Sequence, residues 1–317
     1  MEDPQFVKSE VKIPSKTPGW DLDAWKFLPM TASGSSSRPL PVISADISDR
    51  AHGISANKRM GLSLFAERFA SLGYAVVVFD YRRWGTSAGT PRHIVFVSEQ
   101  LDDYRTVVKY VRQQAEFDPQ KVVLWGTSFS GGHVTALSSE KNLNLTAVIA
   151  QCPFLGLGSG SSRLTKALLK TVLAGIHDIL RQTFGMTPRY MPAVAQPGQV
   201  GLLTAPGSVE GMNLILPAEE GVYPNEVSAS SLFELPFYNP RASGARITCP
   251  VLLVAAEQDN LCPLGFFHEL KGLSPKVQLV SFPLGHFELY NEKGSMEAMV
   301  SFLEEHVPLD GSAPKSD

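Results

Sequence analysis

Two serines in this 317-residue chain stand in patterns that can turn a hydroxyl into a nucleophile. Gly85-Thr86-Ser87-Ala88-Gly89 is a complete G-x-S-x-G; Gly126-Thr127-Ser128-Phe129-Ser130 has serine in the last place, with Gly131 next. The pattern matters where it forms a sharp turn between a strand and a helix, because that turn lifts the serine oxygen clear of the sheet. Ser128 has this context. The β-rich run Val122-Val123-Leu124-Trp125 precedes it, and the stretch from Gly131 to Leu137 can continue as a helix. Ser87 follows a strand-like run but leads into Thr90-Pro91, where no helix starts, so it reads as a loop serine. Ser130 is small enough for a helix to pack against a strand, and the turn at Ser128 is expected to survive it.

A serine hydroxyl at neutral pH needs a histidine to take its proton and a carboxylate to orient that histidine. On a strand–turn–helix elbow the three follow in the order serine, acid, histidine. His286, in Pro283-Leu284-Gly285-His286-Phe287, comes just after the last predicted strand, where a loop can carry it over the sheet. His268 falls within a predicted helix and His306 near the tail. For the acid, Glu257 and Asp259 both follow an apolar strand, and Asp259, at the loop apex before Asn260-Leu261-Cys262-Pro263, is preferred. Glu257 reads as a solvated or hydrogen-bonded neighbour. Asp80 reads as the holder of the Arg82–Arg83 loop, and Asp102 and Asp103 as a solvated helix face. The oxyanion of an acyl-transfer intermediate needs two backbone donors. The amide of Phe129 is one, and Ile54, or Gly53 next to it, is the expected second.

These residues need a frame to hold them. Residues 6–13 and 22–28 alternate in part and flank a Pro18-Gly19 turn, so they predict an antiparallel opening pair. Apolar runs at 75–79, 121–125, 147–150, 251–255 and 277–282 read as strands of a parallel sheet. Helical spacing lies between them: Leu62, Phe65, Phe69 and Leu72 share one face, as do Leu101, Tyr104, Val108 and Val111. Residues 295–306 predict a closing helix. Strands alternating with helices mean an α/β fold with a mostly parallel central sheet flanked by helices. Residues 1–155 and 246–317 form this core. Residues 156–245 break the alternation and read as a helical lid inserted before the penultimate strand, over the strand ends where ligands bind. Its amphipathic helix carries Leu164, Leu168, Val172, Ile176 and Ile179, an expected apolar roof over a greasy substrate.

Composition bounds the partners. Charged residues make up 19% and the net charge is -3, so nothing favours nucleic acid or an acidic lipid surface. Cys152, Cys249 and Cys262 are widely spaced and form no CxxC pair, which indicates neither a zinc site nor a disulfide framework. No metal or organic cofactor is required. The amino terminus lacks the apolar stretch of a signal peptide, no run is long enough to span a bilayer, and the chain ends without a Ser-Lys-Leu address. An intracellular, cytoplasmic protein is the expectation.

The segments around Ala51-His52-Gly53, Phe79-Asp80-Tyr81-Arg82, the Ser128 turn, Asp259 and Gly285-His286 together resemble the α/β-hydrolase superfamily over nearly the whole chain. More narrowly, the stretch from Asn57-Lys58-Arg59-Met60-Gly61-Leu62 to Leu202-Leu203-Thr204-Ala205-Pro206 is similar to fungal polyketide-transferase-like hydrolases of secondary-metabolite clusters, host-selective toxin clusters among them. That resemblance implies a small acyl substrate, a thioester or ester of a polyketide or fatty acid, free or bound to a carrier or to CoA. Hydrolysis or transfer to an alcohol would follow. Some such enzymes are peroxisomal. A non-catalytic small-molecule binder and a peptidase or general esterase are the alternative readings.

One stretch departs from the family pattern. Pro41-Val42-Ile43 begins a strand, but Ser44-Ala45-Asp46-Ile47-Ser48-Asp49-Arg50 precedes His52 where apolar chain is expected. Two acids and an arginine fit poorly in a central parallel strand. Residues 44–50 therefore read as an insertion, of the kind a mis-spliced gene produces, that loops out or impairs the oxyanion donor at Gly53 or Ile54.

Overall fold

The structure, a computed structural model, describes residues 5–30, 39–46, 57–59, 63–158, 165–214, 216 and 223–309. Strands β1 (Phe6–Pro14) and β2 (Asp21–Pro29) form the predicted antiparallel pair, joined through a turn in which Gly19 takes a φ of 78°. Then follow β3 (Leu40–Asp46), α1 (Ser63–Ser71), β4 (Ala75–Phe79), α2 (Val97–Val111), β5 (Phe117–Thr127), α3 (Ser128–Leu137) and β6 (Ala147–Gln151). After β6 come α4 (Lys166–Thr183), the short strand β7 (Tyr190–Met191), α5 (Ser208–Asn213) and β8 (Val227–Ser228). The chain returns to the sheet with β9 (Val251–Ala256), α6 (Leu264–Leu273), β10 (Val277–Phe282) and α7 (Lys293–His306).

Eight strands form one sheet in the order β1-β2-β4-β3-β5-β6-β9-β10. From β4 to β10 every neighbouring pair is parallel. The continuous apolar runs dictate this. Residues 75–79, 147–151 and 251–256 are buried throughout, which suits strands covered by helices on both faces. Two apolar layers result. One face packs Val77, Phe79, Tyr104, Leu124 and Leu253; the other packs Phe65, Phe69, Trp125, Ile149 and Phe302.

Three expectations need correction. Residues 44–46 do not loop out: Ser44, Ala45 and Asp46 pair with β4 on one side and β5 on the other. Ser44 is fully buried, with no hydrogen-bond partner for Oγ among the described residues. The strand tolerates it because a hydroxyl is small, and Asp46 falls on its last residue. Residues 47–50 lie outside the described residues.

Asp103 is not on a solvated face. It is fully buried and accepts from Arg82 N at 2.9 Å and Arg82 Nε at 2.7 Å. Burial pushes its carboxyl up to about 6, against the pull of that guanidinium. Arg83 pairs with Glu99. Asp80 holds the Arg82–Arg83 loop through the Thr86 amide, and Lys58 with it, rather than through the arginine side chains.

The helix α4 packs mainly through small residues, with Leu168 and Val172 only half-buried. It buries Thr171, Ala174, Gly175 and Asp178, while Leu169, Leu173, Ile176, Ile179 and Leu180 are exposed. Small residues allow a close approach: a methyl at Gly175 would lie 2.7 Å from the Phe233 ring. Asp178 then accepts from Arg189 N at 2.6 Å, Ser230 N at 2.9 Å, Gln182 Nε2 at 3.0 Å and the Ser228 hydroxyl. Burial works against this carboxylate, but those donors outweigh it and hold Asp178 below its ordinary value. Leu164 lies outside the described residues.

Candidate active site

The turn from β5 to α3 places Ser128 with φ at 54°, in the left-handed region that costs a residue with a side chain about 1 kcal/mol or more. Its surroundings enforce the turn. Ser128 O accepts from Phe154 N at 2.7 Å, tying the elbow to the chain leaving β6. Close approach needs glycine at Gly126, where a methyl would sit 2.6 Å from Ser130 O, and at Gly132, where it would sit 2.3 Å from Phe154 O. Phe129 N–H lies in the first turn of α3, where amides have no intrahelical acceptor and the helix dipole favours negative charge.

The structure brings Ser128, His286 and Asp259 together. Ser128 Oγ donates to His286 Nε2 at 3.2 Å, and His286 Nδ1 donates to Asp259 Oδ2 at 2.6 Å. All three are nearly buried. The second carboxylate oxygen accepts from Leu261 N at 2.7 Å and Cys262 N at 2.8 Å. Burial alone would raise the Asp259 carboxyl; the charge and hydrogen bond of His286, with the two amides, outweigh it and hold the group below its ordinary value. An ionised Asp259 fixes the tautomer that leaves Nε2 free to accept from serine. These are the three residues the sequence singles out, and the structure brings them together. Phe129, the expected oxyanion donor, follows Ser128 in α3, whereas Gly53 and Ile54 lie outside the described residues.

The other candidates are elsewhere. Ser87 Oγ donates to Asp80 O at 2.6 Å and accepts from Asp23 N at 2.7 Å, so the complete G-x-S-x-G is a strut between β2 and the loop after β4. Gly85 is required there because a methyl would strike the Asp80 carboxylate at 2.2 Å. Glu257 is exposed and accepts from Ser281 Oγ. His268 lies on α6, and His306 at the end of α7 beside Glu305.

Two features were not anticipated. Cys152 and Cys262, both buried free thiols, lie against Asp259. Cys152 Sγ, an Asp259 carboxylate oxygen and a His286 ring nitrogen lie within 4.8 Å of one another. As a metal cage this trio is poor, since aspartate and histidine are spent on each other and burial keeps the thiol protonated. Only the pairing of β6 with β9 reveals the contact. The second feature is His133, fully buried on α3, between Gln100 Oε1 at 2.9 Å and Tyr238 Oη at 2.6 Å. Burial lowers it to about 3, so it is a neutral core residue and no rival base.

Residues of the 156–245 segment approach the site. Met212 and Val194 pack on Phe287, next to His286, and Asn260 Nδ2 donates to Pro206 O at 2.8 Å. A cavity of about 270 Å³ lies beside His286, lined by Pro206, Glu210 and Leu214 on one side and Gln258, Asn260 and Glu288 on the other. Among the described residues, no helix is long and apolar enough to cross a membrane.

Known proteins resemble this chain in sequence and fold. A family profile described as "Serine aminopeptidase, S33" matches residues 51–196. The chain is 33% identical over 276 residues to the "Quorum-quenching protein AidA" of Acinetobacter baumannii, covering 86% of this chain and 90% of that one. It is 27% identical to the "Thiohydrolase aneE" of Aspergillus aculeatus, covering 80% and 84%. The crystal structure of the α/β-hydrolase GrgF from Penicillium superposes with a TM-score of 0.77 at 20% identity, covering 95% of this chain and 99% of that one. A mostly parallel sheet, a strained serine between strand and helix, and a relative at 33% identity over most of both chains lead to one assignment. The chain belongs to the α/β-hydrolase family.

Proposed function

We propose that this protein is a serine-dependent acyl hydrolase or acyltransferase acting on a thioester or ester of a polyketide or fatty acid. The observation that carries the reading is the relay from Ser128 Oγ through His286 to Asp259, built on a strained elbow. Ser128 attacks the acyl carbonyl while His286 Nε2 takes its proton, and Asp259 orients and stabilises the imidazolium. Phe129 N–H, with Ile54 or Gly53, receives the oxyanion. His286 then gives its proton to the departing thiol or alcohol. Water, or an acceptor alcohol, attacks the acyl-enzyme and restores the serine.

The substrate class is supported by relatives named thiohydrolase and polyketide transferase. Residues 156–245 act as the lid, since their side chains stand beside His286 and line its cavity. The exposed apolar side of α4 gives the substrate no roof, so acyl selectivity falls to the residues around Phe287 and Leu214.

The test is a fluorophosphonate label on purified protein beside Ser128→Ala and Ser87→Ala, followed by a panel of acyl thioesters, aryl esters, lactones and aminoacyl anilides. Labelling lost only in Ser128→Ala, with thioesters or esters turned over fastest, is expected. Labelling of Ser128→Ala, or turnover of anilides alone, would overturn the reading.

A further inference from the structure

A hydrogen-bonded acid in a site of this kind usually rests on backbone amides. Here the Cys152 thiol also lies close to the acid. Cys152 is the first residue after β6, and Asp259 the third after β9. The two strands are parallel neighbours with Gln151 opposite Val254, and Cys152 N donates to Val254 O at 2.8 Å. Both chains therefore leave the sheet side by side. The backbone of Cys152 turns into the left-handed region, with φ at 39°, which aims its side chain at the loop carrying the acid.

Cys152 Sγ, a carboxylate oxygen of Asp259 and a ring nitrogen of His286 lie within 4.8 Å of one another, and Cys152 is fully buried. We infer that the Cys152 thiol is a positioning residue, a fourth hydrogen-bond donor to Asp259 that holds its carboxylate in the plane His286 requires. The inference rests on the proposed roles of Asp259 and His286. A thiol is a weak donor, but one aimed at a buried anion gains from the low dielectric around it. Burial, and then the Asp259 charge, push this thiol well above its ordinary value, so it keeps its proton across the working range of an acyl hydrolase. It accordingly donates at every relevant pH and never competes as a nucleophile. Leu261 N and Cys262 N bind Asp259 Oδ1 from the acid's own loop, His286 reaches the acid from beyond β10, and Cys152 reaches it from the end of β6.

The experiment compares Cys152→Ala, Cys152→Gly and Cys152→Ser, alone and with Asp259→Asn. Glycine relieves the left-handed backbone, so at least one thiol-free variant folds without strain. Loss of a hydrogen bond to a charged group lowers kcat about tenfold in the alanine and glycine variants. KM stays unchanged. The acid limb of the kcat/KM profile moves to higher pH, because more of the carboxylate's charge is left for the imidazolium. Serine, which keeps a donor, restores kcat to within about threefold and returns the limb to its original position. In the Asp259→Asn background the same thiol deletions cost little further.

A wild-type kcat and acid limb in both thiol-free variants would overturn the inference. So would a serine variant as impaired as alanine, or losses that add fully to those of Asp259→Asn, since either outcome means packing alone. If Asp259→Asn itself keeps wild-type turnover, the acid is misassigned and the reading beneath the inference fails with it.

Discussion

Ser130 Oγ lies 2.9 Å from Tyr104 Oη, directly behind the turn that carries Ser128. Tyr104 in turn donates to Trp125 O at 3.0 Å, two residues before the elbow's N-cap. The serine that spoils the G-x-S-x-G pattern is thus a bonded link between α2, β5 and α3. It replaces the clearance of a glycine with a hydrogen bond in a fully buried place.

The two small residues of the elbow are therefore not equivalent. Ser130→Gly restores the motif and is expected to fold and turn over substrate, losing about 1 kcal/mol through the hydrogen bond and helix propensity. Gly126→Ala puts a methyl 2.6 Å from the Ser130 carbonyl, and should lose most activity and several degrees of thermal midpoint. Thermal melts beside ester turnover decide the matter; equal tolerance of both changes would refute it.

Ser128→Ala should lower kcat by on the order of 10⁴-fold or more with the fold intact. Ser87→Ala has the reverse signature. It removes the bonds to Asp80 O and Asp23 N and should cost about 1–3 kcal/mol of stability, while kcat in the folded fraction stays near wild type. Urea unfolding and active-site titration separate the two effects.

Acid should destabilise this protein earlier than its carboxylates alone would. His133 falls from 6.5 to about 3 on burial, so below pH 6.5 the unfolded chain binds a proton that the folded chain refuses. Stability is complete above pH 6.5 and declines toward pH 3, by up to about 1.4 kcal/mol per pH unit. The Asp259 contribution, held by a lowered carboxyl, begins to go only below 3.8. Chemical denaturation between pH 7 and 4.5 measures the first slope, and His133→Gln should flatten it.

Ser44→Ala should be neutral or stabilising by about 1 kcal/mol, because the hydroxyl is buried in β3 with no partner among the described residues. A clear loss of stability on denaturant titration would show that the oxygen is bonded after all.

Most of the frame could be read from residue order alone. Apolar runs bounded by turn residues marked β4, β6 and β9 to within a residue, because strands buried on both faces leave no polar position to confuse the pattern. Ser128 stood out from Ser87 because a strand and a helix flank it, and His286 and Asp259 because each follows a strand. What escaped were contacts between distant segments. Cys152 beside Asp259 follows from strand order, which no local pattern encodes. Asp103 looked solvated because nothing local sets it apart from Asp102, which is half-buried and paired with Lys16 and Arg105. The face that α4 packs was misjudged because hydrophobicity marks large side chains, whereas Gly175 and Ala174 are buried for being small.

Asp178 has one more consequence. Its donors, Arg189, Ser228, Ser230 and Gln182, all belong to residues 156–245, so α4 is fastened to the rest of that segment and not to the sheet. Such a helix can open without breaking a single rung of the eight-stranded ladder. In hydrogen exchange, α4 amides should report a smaller opening free energy than those of β5 or β6, as a cooperative unit of their own. The stability of that unit is thereby set apart from that of the ladder that carries Ser128.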